Sequence, residues 1–161
     1  MRYILTLLLL SVTMFRTAAQ ESYTLADTLT LDAVVVTGVT LTSMTDEGNL
    51  RFNVSKIEGN TDYIFGKGDY VFENCELSFK GYSASAAGGY ITAAREQSKG
   101  YLFYNCDITA ADDLVVSPGY LGRPWRDTAV VMFYNTSVEY AGLIRDEGWA
   151  SMSGVEPTAA T

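Results

Sequence analysis

The stretch Val71-Phe72-Glu73-Asn74-Cys75-Glu76-Leu77 decides the fold, because close copies of it recur along the chain. Residues 102–108 and 132–138 repeat it, and residues 51–57 repeat it more weakly. The phenylalanines at the second position of the copies are 20, 31 and 30 residues apart along the chain. Within each copy apolar residues alternate with polar ones, which is typical of a strand with one buried face.

Repeat periods of this length predict a solenoid or a propeller. Short strands, unequal spacing and one strand motif per turn favour a β-solenoid, in which each turn stacks on the previous one at about 4.8 Å. Equivalent residues should then form ladders, and we expect an amide ladder of Asn74, Asn105 and Asn135. Cys75 and Cys106 should also stack, either as a disulfide or as two buried thiols, and the sequence leaves both alternatives open.

The composition and charge of the chain exclude several classes of function. The chain has 161 residues, 48% of them hydrophobic and 19% charged, which indicates a globular protein with one substantial core. A net charge of −8 argues against a nucleic-acid partner, since phosphate binding needs a basic face. The chain contains no histidine, so Ser-His-Asp and Cys-His nucleophile systems are excluded and a structural zinc site is not expected.

The first residues are typical of an export signal. A short basic start precedes an almost wholly apolar run at residues 4–14, and small residues stand just before Gln20. The apolar run is too short to span a membrane and Arg16 interrupts it, so we expect no stable membrane insertion. The sequence predicts a signal peptide at 1–19, a β-rich or linker segment at 20–50, a solenoid at 51–161, and a secreted or periplasmic location.

Three clusters carry candidate chemistry: residues 59–66, 89–95 and 119–125. Taken one at a time, each cluster has a structural explanation: the first is an aspartate in a turn, the second is a strand, and the third is a turn fixed by glycine and proline. Together, Asp62-Tyr63-Ile64-Phe65-Gly66 and Leu121-Gly122-Arg123-Pro124-Trp125 resemble the two signatures of the pectin methylesterases, or pectinesterases. The repeated turns and the closing residues 148–152 are also similar to that family. The resemblance implies a right-handed parallel β-helix.

The resemblance also implies an activity, namely hydrolysis of the methyl esters of galacturonate in pectin to methanol and acidic pectin, without a cofactor. Asp62 matches the nucleophile and Arg123 the arginine that pairs with it. Flat aromatic side chains suit sugar rings. The residues expected to line the sugar groove are Phe65 and Trp125, with Trp149 and Met152 extending its wall.

The sequence departs from the family pattern before residue 51. The family's second carboxylate, a general acid, lies in a Gln-Asp-Thr-Leu motif, but the only glutamines here are Gln20 and Gln97 and neither precedes an aspartate. We therefore expect a solenoid that is incomplete on its N-terminal side and that has weak activity or none. Residues 27–38 instead are similar to the start of TonB-dependent outer-membrane receptors, the alternative being one degenerate turn of the solenoid.

Other functions follow from the same residues. A β-helix remnant that binds pectin-like polysaccharide without turnover would use the aromatic residues alone, and a receptor-type N-terminal segment would engage the cell envelope. A calcium-dependent pectate lyase would use acids such as Asp69, Asp112 and Asp113. These acids lack ligand spacing, so a solvated face is the simpler interpretation and no metal is expected.

Overall fold

A computed structural model describes residues 28–32, 35–37, 49–81, 88–96, 99–111 and 117–158. The predicted signal peptide, most of the segment 20–50, both glutamines, and Asp112 with Asp113 lie outside these ranges. All regular elements in the described ranges are strands. Within them, no helix is present that is long and apolar enough to cross a membrane.

Thirteen strands occupy the described ranges. They are β1 (Thr28–Asp32), β2 (Val35–Thr37), β3 (Asn49–Asn53), β4 (Lys56–Gly59), β5 (Thr61–Gly66), β6 (Asp69–Glu73), β7 (Glu76–Phe79), β8 (Tyr90–Ala94), β9 (Tyr101–Tyr104), β10 (Asp107–Ala110), β11 (Tyr120–Gly122), β12 (Val131–Tyr134) and β13 (Ser137–Val138).

The strands form three sheets in which neighbours are always parallel. Sheet A has the order β1-β3-β6-β9-β12, sheet B the order β13-β10-β7-β4-β2, and sheet C the order β11-β8-β5. Three of the turns add one strand to each sheet, whereas the first and last turns of the described ranges add strands to sheets A and B only. Successive turns stack on one another. This arrangement is a parallel β-helix, which confirms the fold class that the repeat predicted.

The phenylalanines of the repeat form the central ladder of the core. Phe52, Phe72, Phe103 and Phe133 stack with ring centroids 4.9, 4.6 and 4.3 Å apart and planes within 9° of parallel. The first three are fully buried inside the coil. Because an aromatic side chain buries a large apolar area, this ladder fixes the register of sheet A.

The asparagines of the repeat sit where the chain turns from sheet A to sheet B. Asn74, Asn105 and Asn135 have φ angles of 52°, 52° and 49°, a left-handed conformation that asparagine tolerates better than most residues. The Asn135 side-chain amide donates to Asn105 Oδ1 at 2.6 Å, which confirms that step of the predicted ladder, and Asn74 donates to Asn53 Oδ1 at 3.4 Å.

Val54 holds the equivalent left-handed position in an earlier turn, with a φ of 48° and 61% of its surface exposed. A β-branched residue is strained in that conformation and gains no burial here to offset the strain. We expect Val54→Asn to raise the free energy of unfolding by about 1 kcal/mol, measured by urea denaturation. Val54→Ala is the matched control, and its free energy of unfolding should rise by much less. An asparagine variant no more stable than the wild type would contradict the account.

The two cysteines are buried in adjacent turns and both are free thiols. Of the two alternatives, the structure has the pair of packed thiols. The hydrogen bond with Cys75, and then burial, raise the pKa of the Cys106 thiol. Both cysteines are about 1% exposed, so the pair packs within the apolar interior.

Strands β1 and β2 lie in the segment that the sequence left as β-rich or linker. Strand β1 pairs with β3 from Thr28 opposite Asn49 onwards, and β2 pairs with β4 from Val35 opposite Lys56. The sequence left two alternatives for residues 27–38, a receptor-like segment or one degenerate turn of the solenoid. The described part of this stretch pairs with the coil as a turn.

Candidate active site

Asp62 lies on a β-bulge in sheet C. Between Thr61 and Ile64, strand β5 contains one residue more than the facing part of β8. Asp62 has a φ of 51°, an uncommon conformation for a residue other than glycine. The neighbouring Tyr63 and Ile64 are buried in the core, whereas the Asp62 side chain is 20% exposed. The bulge therefore turns the carboxylate outwards, as bulges beside functional sites do.

Arg123 directly follows β11, two strands away from β5 in sheet C. Its backbone N–H donates to the Thr92 carbonyl at 2.9 Å, which anchors the residue to the intervening turn. Its side chain reaches Asp62, where Nε–H donates to Oδ1 at 2.9 Å and Nη2–H donates to Oδ2 at 2.5 Å. The structure thus brings together the two residues that the sequence predicted as a pair, in a bidentate arrangement that fixes the carboxylate plane.

Charge pairing and partial burial set the electrostatics of this contact. The hydrogen bond with Asp62 raises the pKa of the Arg123 guanidinium, although partial burial of the side chain opposes this. Because the pKa of a free guanidinium is already very high, Arg123 stays charged at neutral pH and well above it. The guanidinium therefore supplies a fixed positive charge beside the Asp62 side chain.

Gly122 allows the close approach of β11 to β8. A Cβ atom on Gly122 would lie 1.9 Å from Thr92 Oγ1 and 2.7 Å from the Thr92 carbonyl oxygen. The Thr92 hydroxyl donates to the Leu121 carbonyl at 3.1 Å. A side chain at position 122 would thus displace the turn that carries Arg123.

Phe65 and Trp125, which follow Asp62 and Arg123 by three and two residues in the chain, pack against each other. Their ring centroids are 6.1 Å apart with planes tilted by 54°. The guanidinium carbons of Arg95 and Arg126 lie 5.1 and 5.6 Å from the Trp125 ring centroid. The sequence predicted the two aromatic residues but missed both arginines, because their approach to Trp125 depends on how turns stack.

Trp149 forms an isolated parallel β-bridge with Gly122 of β11. The centroid of its ring is 6.1 Å from that of Phe133. Trp149 lines a cavity of about 360 Å³ together with Arg123 and three acids that sequence reasoning missed: Asp127, Glu147 and Glu156. Met152 is half-buried and bridges to Val155, but it does not line this cavity. Asp62 is not among the residues that line this cavity.

Metal ligation is not indicated in the described ranges, where no three His, Cys, Asp or Glu residues are grouped so that they could hold an ion. Asp69, which the pectate-lyase alternative would use, has a structural role: its Oδ1 accepts the backbone N–H groups of Lys99 and Gly100 at 2.8 and 2.9 Å. The site itself presents a carboxylate that is held by a guanidinium.

The chain is similar to known proteins of one family. The pectinesterase family model matches residues 26–160. A probable pectinesterase A from Aspergillus flavus is 38% identical over 133 residues, which is 80% of this chain. The crystal structure of the deglycosylated pectin methylesterase from Aspergillus niger superposes with a TM-score of 0.59 at 32% identity, over 69% of this chain and 36% of that one.

A pectin methylesterase solved in complex with a hexasaccharide is also similar, with a TM-score of 0.56 and 25% identity over 72% of this chain and 40% of that one. The chain spans only 39% of the length of the Aspergillus flavus relative. The family match covers most of the chain, and the fold and the two signature sites agree with it. The chain belongs to the pectinesterase family.

Proposed function

We propose that this chain hydrolyses the methyl esters of galacturonate in pectin, releasing methanol and leaving acidic pectin. The observation that carries the proposal is the bidentate contact between Asp62 and Arg123, in a chain of this family. Simple carbohydrate binding would not require a carboxylate on a strained bulge that is held by both of its oxygens.

The reaction would proceed in two steps with Asp62 as the nucleophile. A carboxylate oxygen of Asp62 attacks the ester carbonyl carbon, and the bond to the methoxy group breaks as methoxide leaves and takes a proton from solvent water, which becomes hydroxide. A second water then attacks the resulting anhydride, which restores the Asp62 carboxylate. One proton of that water stays on the galacturonic acid that is freed, and the other neutralises the hydroxide. The 20% exposure of Asp62 leaves room for the ester to approach.

Arg123 would act by orientation and by charge. Two parallel N–H bonds hold the carboxylate in one plane, so that its attacking lone pair is aimed in a fixed direction. The guanidinium also remains positive throughout, and it can stabilise negative charge that develops on the nearby carbonyl oxygen.

Aromatic side chains would position the sugar chain. Phe65 and Trp125 pack against each other, and Trp149 lines a cavity together with Arg123, so these rings are the surface proposed for the sugar chain. The hexasaccharide complex of the similar pectin methylesterase supports a carbohydrate occupant. Met152, which does not line the cavity beside Trp149, would contribute less.

The activity of this chain alone should be weak. A family member's general acid and glutamine come from a Gln-Asp motif that this sequence lacks. General acid–base assistance is typically worth about 10²–10⁴-fold in rate. We therefore expect the chain to turn over more slowly than a complete family member by at least about that factor.

Methanol release tests the proposal. Purified residues 20–161 should release methanol from highly methylated pectin above the level found with fully demethylated polygalacturonate, which serves as the substrate blank. Release at the blank level, together with retention on immobilised methylated pectin, would contradict hydrolysis and would instead support a pectin-binding module.

We also propose that the protein is exported, as its apolar N-terminal run suggests. Expression in a host with a secretory pathway should yield secreted protein whose first residue is Gln20, as read by N-terminal sequencing. Intracellular protein that retains Met1 would contradict this.

A further inference from the structure

Tyr90 lies directly against the Arg123 side chain. The guanidinium carbon of Arg123 is 4.1 Å from the centroid of the Tyr90 ring. Tyr90 begins β8, the middle strand of sheet C, so it stands between the strand that carries Asp62 and the strand that precedes Arg123. The arginine side chain must cross this middle turn to reach the carboxylate.

A column of flat groups continues away from Tyr90. Tyr120, its register partner in β11, stacks on it with centroids 5.2 Å apart and planes within 6° of parallel. The Arg145 guanidinium lies 5.2 Å from the Tyr120 centroid. In β5 the register partner of Tyr90 is Thr61, which has no ring. The Arg123 guanidinium supplies a further flat group for the column at its Asp62 end.

Support of this kind matters because the Arg123 side chain is long. Strands β11 and β5 are two strand spacings apart, which is about 9.6 Å. An arginine side chain that spans this distance in water would sample many rotamers. The ring face attracts the cation and shields one face of the guanidinium from water. The plane of the guanidinium, and with it the plane of its two bonds to Asp62, is then set by the ring.

We propose that Tyr90 is a positioning residue that holds the Arg123 guanidinium in the plane required for its bidentate contact with Asp62. Tyr120 backs the ring from the next turn. The catalytic importance of this contact rests on the proposed function, but the contact itself can be observed without any turnover.

Nuclear magnetic resonance of the arginine Nε–H groups tests the proposal in the chain of residues 20–161. The Arg123 signal is assigned by its loss in Arg123→Lys. In the wild type it should be displaced by the ring current of Tyr90, exchange slowly with water, and show a nuclear Overhauser effect to the Tyr90 ring protons. Tyr90→Phe, which keeps the ring, should preserve the displacement and the slow exchange.

Tyr90→Met removes the aromatic face at similar volume. It should return the signal towards that of solvent-exposed arginines and speed Nε–H exchange by about tenfold. Tyr140→Met is the control, since Tyr140 is 45% exposed in the last turn and should leave the signal unchanged. An Arg123 signal that is unchanged in Tyr90→Met would overturn the proposal. Should that variant not fold, the absence of the Overhauser effect in the wild type would overturn it equally.

Activity provides a second and separate readout. Where methanol release is measurable, Tyr90→Met should lower kcat with KM little changed, and Tyr90→Phe should restore it. A wild-type chain that releases no methanol would count against the proposed function, whereas the resonance measurement would still decide the role of Tyr90.

Discussion

Arg123→Lys is expected to lower methanol release by about 10²-fold, because a lysine ammonium cannot reproduce two parallel bonds to one carboxylate. In the wild type, Nε–H and Nη2–H contact separate oxygens of Asp62 at 2.9 and 2.5 Å. A lysine would retain one charge and one contact at most. The carboxylate would keep a nearby cation but would lose its fixed plane, so kcat should fall more than KM rises.

The matched control is Arg51→Lys. Arg51 pairs with Glu73 on the exposed face of sheet A, so it offers an arginine–carboxylate pair away from the site. Its replacement by lysine should leave methanol release unchanged, since surface ion pairs contribute little. Equal rates for Arg123→Lys and the wild type would show that the bidentate geometry is not required.

Gly122→Ala is expected to have the largest effect on stability. The added Cβ would meet Thr92 Oγ1 at 1.9 Å and the Thr92 carbonyl oxygen at 2.7 Å, and that carbonyl accepts the backbone N–H of Arg123. Strand β11 must move away from β8, so we expect a loss of about 3 kcal/mol in the free energy of unfolding, measured by urea denaturation. The Arg123 contact with Asp62 should be lost with it.

Gly142→Ala separates this effect from the general cost of adding a methyl group. Gly142 has a φ of 90°, and a Cβ there would meet nothing within 4 Å. Gly142→Ala should therefore lower the free energy of unfolding only by the strain of an alanine at positive φ, which is about 1 kcal/mol. If Gly122→Ala costs no more than Gly142→Ala, the close approach of β11 to β8 does not stabilise the fold.

The repeat explains why the fold could be predicted from sequence. Phenylalanine at equivalent positions of successive turns can stack only if the turns lie one above the other, and the Phe72–Phe103 ring distance of 4.6 Å confirms this. The first turn was harder to recognise, because β1 and β2 lack a phenylalanine. Their strands are defined by pairing with β3 and β4, which a single sequence does not show.

The candidate site was predictable where it consists of signatures. Asp62 and Arg123 are 61 residues apart, and only the likeness to the family linked them before the structure did. The bulge at Asp62 was not predictable, since a bulge is defined by the partner strand and not by its own residues. Tyr90 was part of a noted cluster, yet its contact with Arg123 depends on the side chain of one turn crossing another.

The acids beside Trp149 were missed for a related reason. Asp127, Glu147 and Glu156 come from loops after the last strand of sheet C, where neither alternation nor spacing relates them to Arg123. Their convergence around one cavity is a property of the packing of those loops. A composition rich in acids indicates only that some of them will lie near the site.

The most direct test of the central claim compares methanol release by residues 20–161 with release by the same chain carrying Asp62→Ala. Both proteins should show the same β-rich far-ultraviolet circular dichroism spectrum, because the Asp62 side chain points out of the core. We expect weak release by the wild type and release at the substrate blank for the variant. Equal release by the two folded proteins, at the blank or above it, would contradict the assignment of Asp62 as the nucleophile.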